Sequence, residues 1–206
     1  MWFLLRLLSN WKVLGKENIP EKGPFLITAN HLNNADPPLL AVSISRKIIF
    51  MSKEELFRSK LISYFVAGFG SFPVHRGQFN LQVFRHSKQV LDNGWGLVMF
   101  PEGKRSDGCL IPAFSGSAAI AVQNNVPLLP IGITGTEKLR GILWILKRPN
   151  ITVTIGKPFM LYHNRRVTRE QLEEMTDEIM CMIAALLPEK YHGCYKEKLW
   201  KSKGLT

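Results

Sequence analysis

Cysteine is scarce in this chain: Cys109, Cys181 and Cys194 are the only three among 206 residues. They are odd in number and show no CxxC or CxxH spacing. That excludes a disulfide framework and a structural zinc site, and it fits a reducing compartment. Long apolar runs are missing as well; no stretch approaches the ~20 residues that a spanning helix needs. Acidic residues are few, 16 Asp plus Glu against 27 Lys plus Arg, which leaves a formal net charge of +11. Such a balance asks for an anionic partner: nucleic acid, anionic lipid or a phosphorylated substrate. An RNP-type aromatic pattern, zinc-finger spacing and a polybasic run are all absent, which argues against nucleic acid. No internal repeat and no Gly-, Pro- or Ser-rich linker divides the chain.

What is present is globular. Hydrophobic residues are 46% and charged residues 21%, so disorder, collagen and coiled coil are excluded as the main state. The length suits one domain with a real core.

The first residues, MWFLLRLLSNW, are crowded with large apolar side chains around Arg6. No basic region precedes them and no small-residue cleavage site follows, so the segment does not read as a secretory signal. On a helix, Leu4, Leu7, Leu8 and Trp11 share a face. Two readings fit: an interfacial anchor in the headgroup plane, or a terminal helix docked on the domain's own core. The stretch KLRGILWILKRPN at 138–150 carries Trp144 among aliphatic residues, with Arg140 on one side and Lys147 and Arg148 on the other. It suits an anionic membrane surface or, equally, a buried element with solvated ends.

Strands are expected at 25–28, 47–51, 71–74, 97–100, 128–134 and 151–155. The first, fourth and fifth are nearly continuously apolar, as strands buried on both faces are. Helices are expected at 39–46, with Asp36 as cap and Pro37 and Pro38 opening it, at 78–93 and at 116–124. A last long helix opens at Thr168, where Gln171 completes a capping-box pattern. Leu172, Met175, Ile179, Met182, Ile183 and Leu186 form its apolar stripe, and Pro188 closes it. Strand–helix alternation across one chain predicts an α/β domain with a central mixed, mainly parallel sheet flanked by helices.

Chemistry-bearing residues gather where apolar strands end. In NHLNNADPP at 30–38, a strand delivers His31 to its carboxyl end and Asp36 follows five residues later. A carboxylate on one imidazole nitrogen fixes the tautomer and supports the imidazolium formed when the other nitrogen takes a proton. The same residues also fit a plain capped turn, or a metal-ligand pair. No further His shows ligand spacing such as HExxH. In GSFPVHRG at 70–77, Arg76 sits on a Gly-flanked turn, suited to a bidentate grip on phosphate or to plain solvation. In VMFPEGKRSDG at 98–108, Glu102, Gly103, Lys104 and Arg105 arrive together after a strand. The cations suit an anion, and Glu102 a cation or a ligand hydroxyl; a merely charged loop is the other reading. VPLLP at 126–130 makes a rigid apolar wall.

Together NHLNNADPP, GSFPVHRG, FPEGKRS and VPLLPIG resemble, in order and separation, the four motifs of the glycerolipid acyltransferase family, specifically its 1-acyl-glycerol-3-phosphate acyltransferases. The resemblance runs from about residue 13 to about residue 159. Asn33 stands where the family commonly has Ser, and Lys104 where it commonly has Thr.

The resemblance implies transfer of a fatty acyl group from acyl-CoA or acyl carrier protein to the sn-2 hydroxyl of lysophosphatidic acid, giving phosphatidic acid. Another lysophospholipid acceptor is the alternative. His31 would be the general base and Asp36 its orienting carboxylate, with Arg76, Glu102, Gly103, Lys104 and Arg105 on the acceptor side. No metal or cofactor is implied, and no acyl-enzyme, in keeping with the lack of a GxSxG elbow around Ser115. The expected organisation is an amphipathic membrane-interface helix at 1–12, an acyltransferase domain at 13–190 and a basic, peripheral tail at 191–206. The expected location is the cytoplasmic face of the cell membrane, peripheral or monotopic.

Overall fold

A computed structural model describes residues 9–53, 72–74, 81–139, 148–162 and 167–202. Seven strands make one sheet: β1 (Asn10–Leu14), β2 (Phe25–Ala29), β3 (Ile48–Lys53), β4 (Phe72–Val74), β5 (Gly96–Met99), β6 (Leu128–Thr134) and β7 (Asn150–Ile155). Their order is β1-β7-β6-β2-β5-β3-β4. Every neighbouring pair is parallel except β6 with β7. The mixed, mainly parallel sheet expected from the alternation is therefore present.

Side-chain parity along β2 explains the layering. Phe25, Leu26, Ile27, Thr28 and Ala29 are all fully buried, because β2 is the middle strand and both its faces are covered. Leu26 joins the core with Leu97, Leu128, Ile179 and Ile183, beneath helices α3 (Gly116–Asn124) and α4 (Arg169–Ala184). Phe25 and Ile27 join Leu39, Leu40, Leu129 and Ile131 on the opposite face, under α1 (Asp36–Ser43). α2 (Leu81–Asp92) packs with the first cluster through Val90 and Leu91. Each fully buried Leu, Ile or Phe here stabilises the fold by about 1.5–3 kcal/mol. Truncating Leu26 to Ala would cost about 2–5 kcal/mol, since a central strand cannot collapse into the void.

Several boundaries differ from expectation. α1 begins at Asp36 itself, with Ala35 as its cap and no side-chain capping bond. It stops at Ser43, where Ile44 turns extended. Arg46 lies beyond the helix and donates to the carbonyls of Pro20, Gly23 and Gly94. The capping box of α4 is formed as expected: Gln171 N donates to Thr168 Oγ1 (3.3 Å) and Thr168 N to Gln171 Oε1 (2.9 Å).

Two terminal expectations are corrected. Residues 10–12 do not belong to a helix; they open β1, parallel to β7. Trp11 is buried with Ile151 and Val153, and Val13 packs on the same cluster, a period of two that the crowded aliphatics upstream obscure. Residues 1–8 lie outside the described residues, as do 140–147 with the Trp144 stretch. Residues 191–202 are not a peripheral tail. Tyr191, Tyr195 and Leu199 are buried in the core, and α5 (Lys196–Ser202) follows the short 3-10 turn Gly193–Tyr195. Their basic neighbours face outward; the aromatic rings between them fill the space beside α4.

Candidate active site

β2 and β5 are parallel neighbours, so their carboxyl ends open on the same side of the sheet, where open α/β folds bind ligands. β2 delivers Asn30 and His31 there, and β5 delivers Phe100 and Glu102. Asn30 is buried and pins the exit of β2 to β6. Its amide donates to Ile133 O (2.9 Å) and its Oδ1 accepts from Ile133 N (2.7 Å).

The next five residues turn back on themselves. His31 Nδ1–H donates to Asp36 Oδ2 at 2.8 Å. The same oxygen accepts from Leu32 N (2.7 Å) and Asn33 N (2.7 Å). Asp36 is fully buried, while the His31 side chain keeps 13% of its surface exposed. Three N–H donors on one carboxylate oxygen offset the burial of its charge. The bond to Nδ1 leaves Nε2 as the basic nitrogen of the ring. Phe100 stacks on that ring at 4.2 Å between centroids and 22° between planes, which fixes the plane in which Nε2 acts. The dyad that the spacing suggested is thus assembled, and the plain-turn reading fails because Asp36 binds the imidazole instead of capping α1.

The loop at 101–115 runs beside this turn. Its Ser106 N donates to His31 O (2.8 Å), and His31 N donates to Glu102 Oε1 (3.1 Å). Lys104 and Arg105 lie between these two anchors and are exposed. Both cations therefore stand next to the histidine backbone, available to an anion. Glu102 is placed differently from expectation. It is fully buried, and its other oxygen accepts from Ile111 N at 3.4 Å, so backbone amides engage it from within the protein. Burial pushes its pKa up to about 7, against the opposing pull of the His31 and Ile111 amides. Gly103 sits at φ +66° with its N–H given to Phe100 O (2.9 Å), and a Cβ there would lie 2.9 Å from the exposed Phe114 ring. It allows the close turn rather than offering a free donor.

Arg76 falls outside the described residues. Among the described residues no group of three or more His, Cys, Asp and Glu side chains is gathered to hold a metal ion. A surface hollow lined by Ser9, Asn10, Trp11, Lys12 and Asn150 lies on the β1–β7 edge and does not include His31. The sequence reading missed Asn30 and Phe100 as parts of the site, although both sit inside the motifs it used. It also missed everything after residue 190 that touches the loop at 101–115.

Known proteins resemble this chain over most of its length. A family model described as Acyltransferase matches residues 10–134. A 1-acyl-sn-glycerol-3-phosphate acyltransferase of Bacillus subtilis is 28% identical over 178 residues, covering 85% of this chain and 87% of that protein. One from Streptococcus pneumoniae is 26% identical over 184 residues, covering 85% of this chain and 67% of the other. The crystal structure of the 1-acyl-sn-glycerophosphate (LPA) acyltransferase PlsC from Thermotoga maritima superposes with a TM-score of 0.65 at 25% identity, covering 89% of this chain and 73% of that one.

Proposed function

The chain belongs to the Acyltransferase family, and from that premise we propose that it acylates the sn-2 hydroxyl of 1-acyl-glycerol-3-phosphate, making phosphatidic acid for phospholipid synthesis. The donor is an acyl thioester, acyl-CoA or acyl carrier protein. The observation that carries the reading is the His31 Nδ1–Asp36 Oδ2 bond of 2.8 Å, with no protein nucleophile needed.

His31 Nε2 takes the proton of the acceptor hydroxyl as its oxygen attacks the thioester carbonyl carbon. Asp36 stabilises the imidazolium that results. The tetrahedral intermediate then collapses, the C–S bond breaks, and the departing thiolate recovers the proton from Nε2. An ester and a free thiol are the products, so atoms and charge balance without an acyl-enzyme. Arg105 and Lys104 hold the acceptor phosphate, Arg105 with the fork that suits a phosphate monoester. Arg76 is assigned to the same phosphate.

A lipid acceptor and an acyl-thioester donor support a location on the cytoplasmic face of the membrane, as a peripheral or monotopic protein. The +11 charge supports an anionic surface as partner. So does the route of the chain. Thr134 pairs with Thr152 in antiparallel register, so Leu139 and Arg148, which flank 140–147, lie at the sheet end that carries His31. Leu139 O accepts from Asn33 Nδ2 (3.3 Å), in the dyad's own turn. Ser9, just before β1, lies at that end too, because β1 runs parallel to β7. Both apolar segments of the sequence therefore attach where the lipids must enter. Among the described residues no helix is long and apolar enough to cross a membrane.

The test is transfer of labelled acyl groups from acyl-CoA and from acyl carrier protein, in liposomes, to lysophosphatidic acid and to a choline lysophospholipid without a phosphate monoester. Phosphatidic acid as the main product is expected. Acylation of the choline lipid alone would overturn the acceptor assignment, and no transfer to either would overturn the activity.

A further inference from the structure

The loop at 101–115 carries Lys104 and Arg105 yet has little regular structure, so its hold on His31 needs an external cause. The hydrogen bonds from Leu110 to Phe114 supply one. Leu110 N donates to Tyr191 O (2.8 Å), Ile111 N to Glu102 Oε2 (3.4 Å), Ala113 N to Tyr195 Oη (3.1 Å) and Phe114 N to Pro101 O (2.9 Å). Pro112 has no donor to satisfy. Cys194 N returns a bond to Leu110 O (3.4 Å), and Gly193 approaches that carbonyl so closely that a Cβ would lie 2.0 Å from it. The segment after Pro188 is thus docked on the far side of the loop, and Glu102 links the loop's near side to His31 N (3.1 Å).

We propose that Tyr195 is a positioning residue for the acyl transfer, acting through Ala113, Ile111 and Glu102 on the backbone of His31. Tyr195 is 3% exposed, so it touches no substrate. Its hydroxyl is the side-chain acceptor that fixes Ala113 from outside the loop. The 3.4 Å bond from Ile111 to Glu102 is the longest in the relay and gives first when that support is removed. The inference rests on the acyltransferase reading for its kinetic readout, but not for its structural one.

Tyr195→Phe keeps the ring and deletes the acceptor. With the full chain in liposomes, kcat should fall about 10-fold while KM for acyl-CoA and for lysophosphatidic acid stays within about twofold. Glu102→Gln cuts the same relay, so the double variant should be no slower than the slower single one, within about twofold. Thr168→Ala, which removes the cap of α4 far from the loop, controls for stability alone; it should lower the melting temperature and leave kcat unchanged. A Tyr195→Phe enzyme with wild-type kcat, a loss confined to KM, or multiplicative effects in the double variant would overturn the proposal. If the wild type transfers no acyl group, the functional reading fails by itself, and the relay is judged by amide hydrogen exchange. Faster exchange at Ala113, Ile111 and His31 in Tyr195→Phe, with β2 unchanged, upholds it; wild-type exchange at those amides refutes it.

Discussion

The turn at 31–36 and the loop at 101–115 meet at one backbone, yet they are built in opposite ways. The turn pairs its dyad locally: one carboxylate oxygen of Asp36 gathers His31 Nδ1, Leu32 N and Asn33 N from within five residues. The loop cannot do so. Its donors find Tyr191 and Tyr195, some eighty residues along the chain, and a buried Glu102 that faces the turn. The pairing of the dyad thus rests on a locally determined unit, while the placement of the His31 backbone and of the exposed cations rests on long-range packing. The turn fixes the pairing of His31 with Asp36, while the loop, through Glu102, sets where the His31 backbone stands and can be retuned by changes at the carboxy terminus.

Breaking the turn should have the largest effect. Asp36→Asn can keep an oxygen toward the Leu32 and Asn33 amides, so the change removes chiefly the charge that supports the imidazolium. An approximately 10²–10³-fold loss of kcat with little change in KM is expected from steady-state assays. A loss of less than about fivefold would mean that the dyad's charge is not used.

Glu102→Gln sharpens the comparison through pH. The folded-state pKa of Glu102 is raised from 4.5 to about 7, so between those values the folded chain binds this proton more tightly than the unfolded chain. Stability from this group is therefore fully present below about pH 4.5 and is lost as pH rises through about 7, by up to about 3 kcal/mol. Chemical denaturation of Glu102→Gln from pH 5 to pH 8 should show a flatter profile than wild type. Identical slopes would place the buried charge elsewhere.

The exposed cations give the smallest expected change. Arg105→Ala should raise KM for lysophosphatidic acid about 10-fold and leave KM for acyl-CoA within about twofold. Lys104→Ala should do less, because a lysine lacks the guanidinium fork. An equal rise for an acceptor without a phosphate monoester would show that neither cation reads the phosphate.

Legibility in the sequence followed the same division. β2 and β6 were readable because strands covered on both faces are apolar without interruption, and 128–134 coincides with β6 (Leu128–Thr134). The dyad was readable because its partners are five residues apart. β1 was not: Trp11 and Val13 alternate inside a segment whose upstream leucines suggest a helix, and only the open edge of β7 decides the matter. The family resemblance puts Glu102 on the acceptor side, and the cations beside it in sequence suit that reading. Its true partners are amides at His31 and Ile111, which no local pattern encodes. Tyr195 was hidden for the same reason, as an aromatic among exposed lysines whose hydroxyl finds Ala113 across 82 residues.

The central claim is that His31, oriented by Asp36, is the base for acyl transfer. It is tested most directly by the initial rate of phosphatidic acid formation by His31→Ala beside wild type, at equal folded concentration by circular dichroism. The expected result is a loss of about 10³-fold with liposome binding retained. A folded His31→Ala enzyme that keeps more than about a tenth of the wild-type rate would contradict the account.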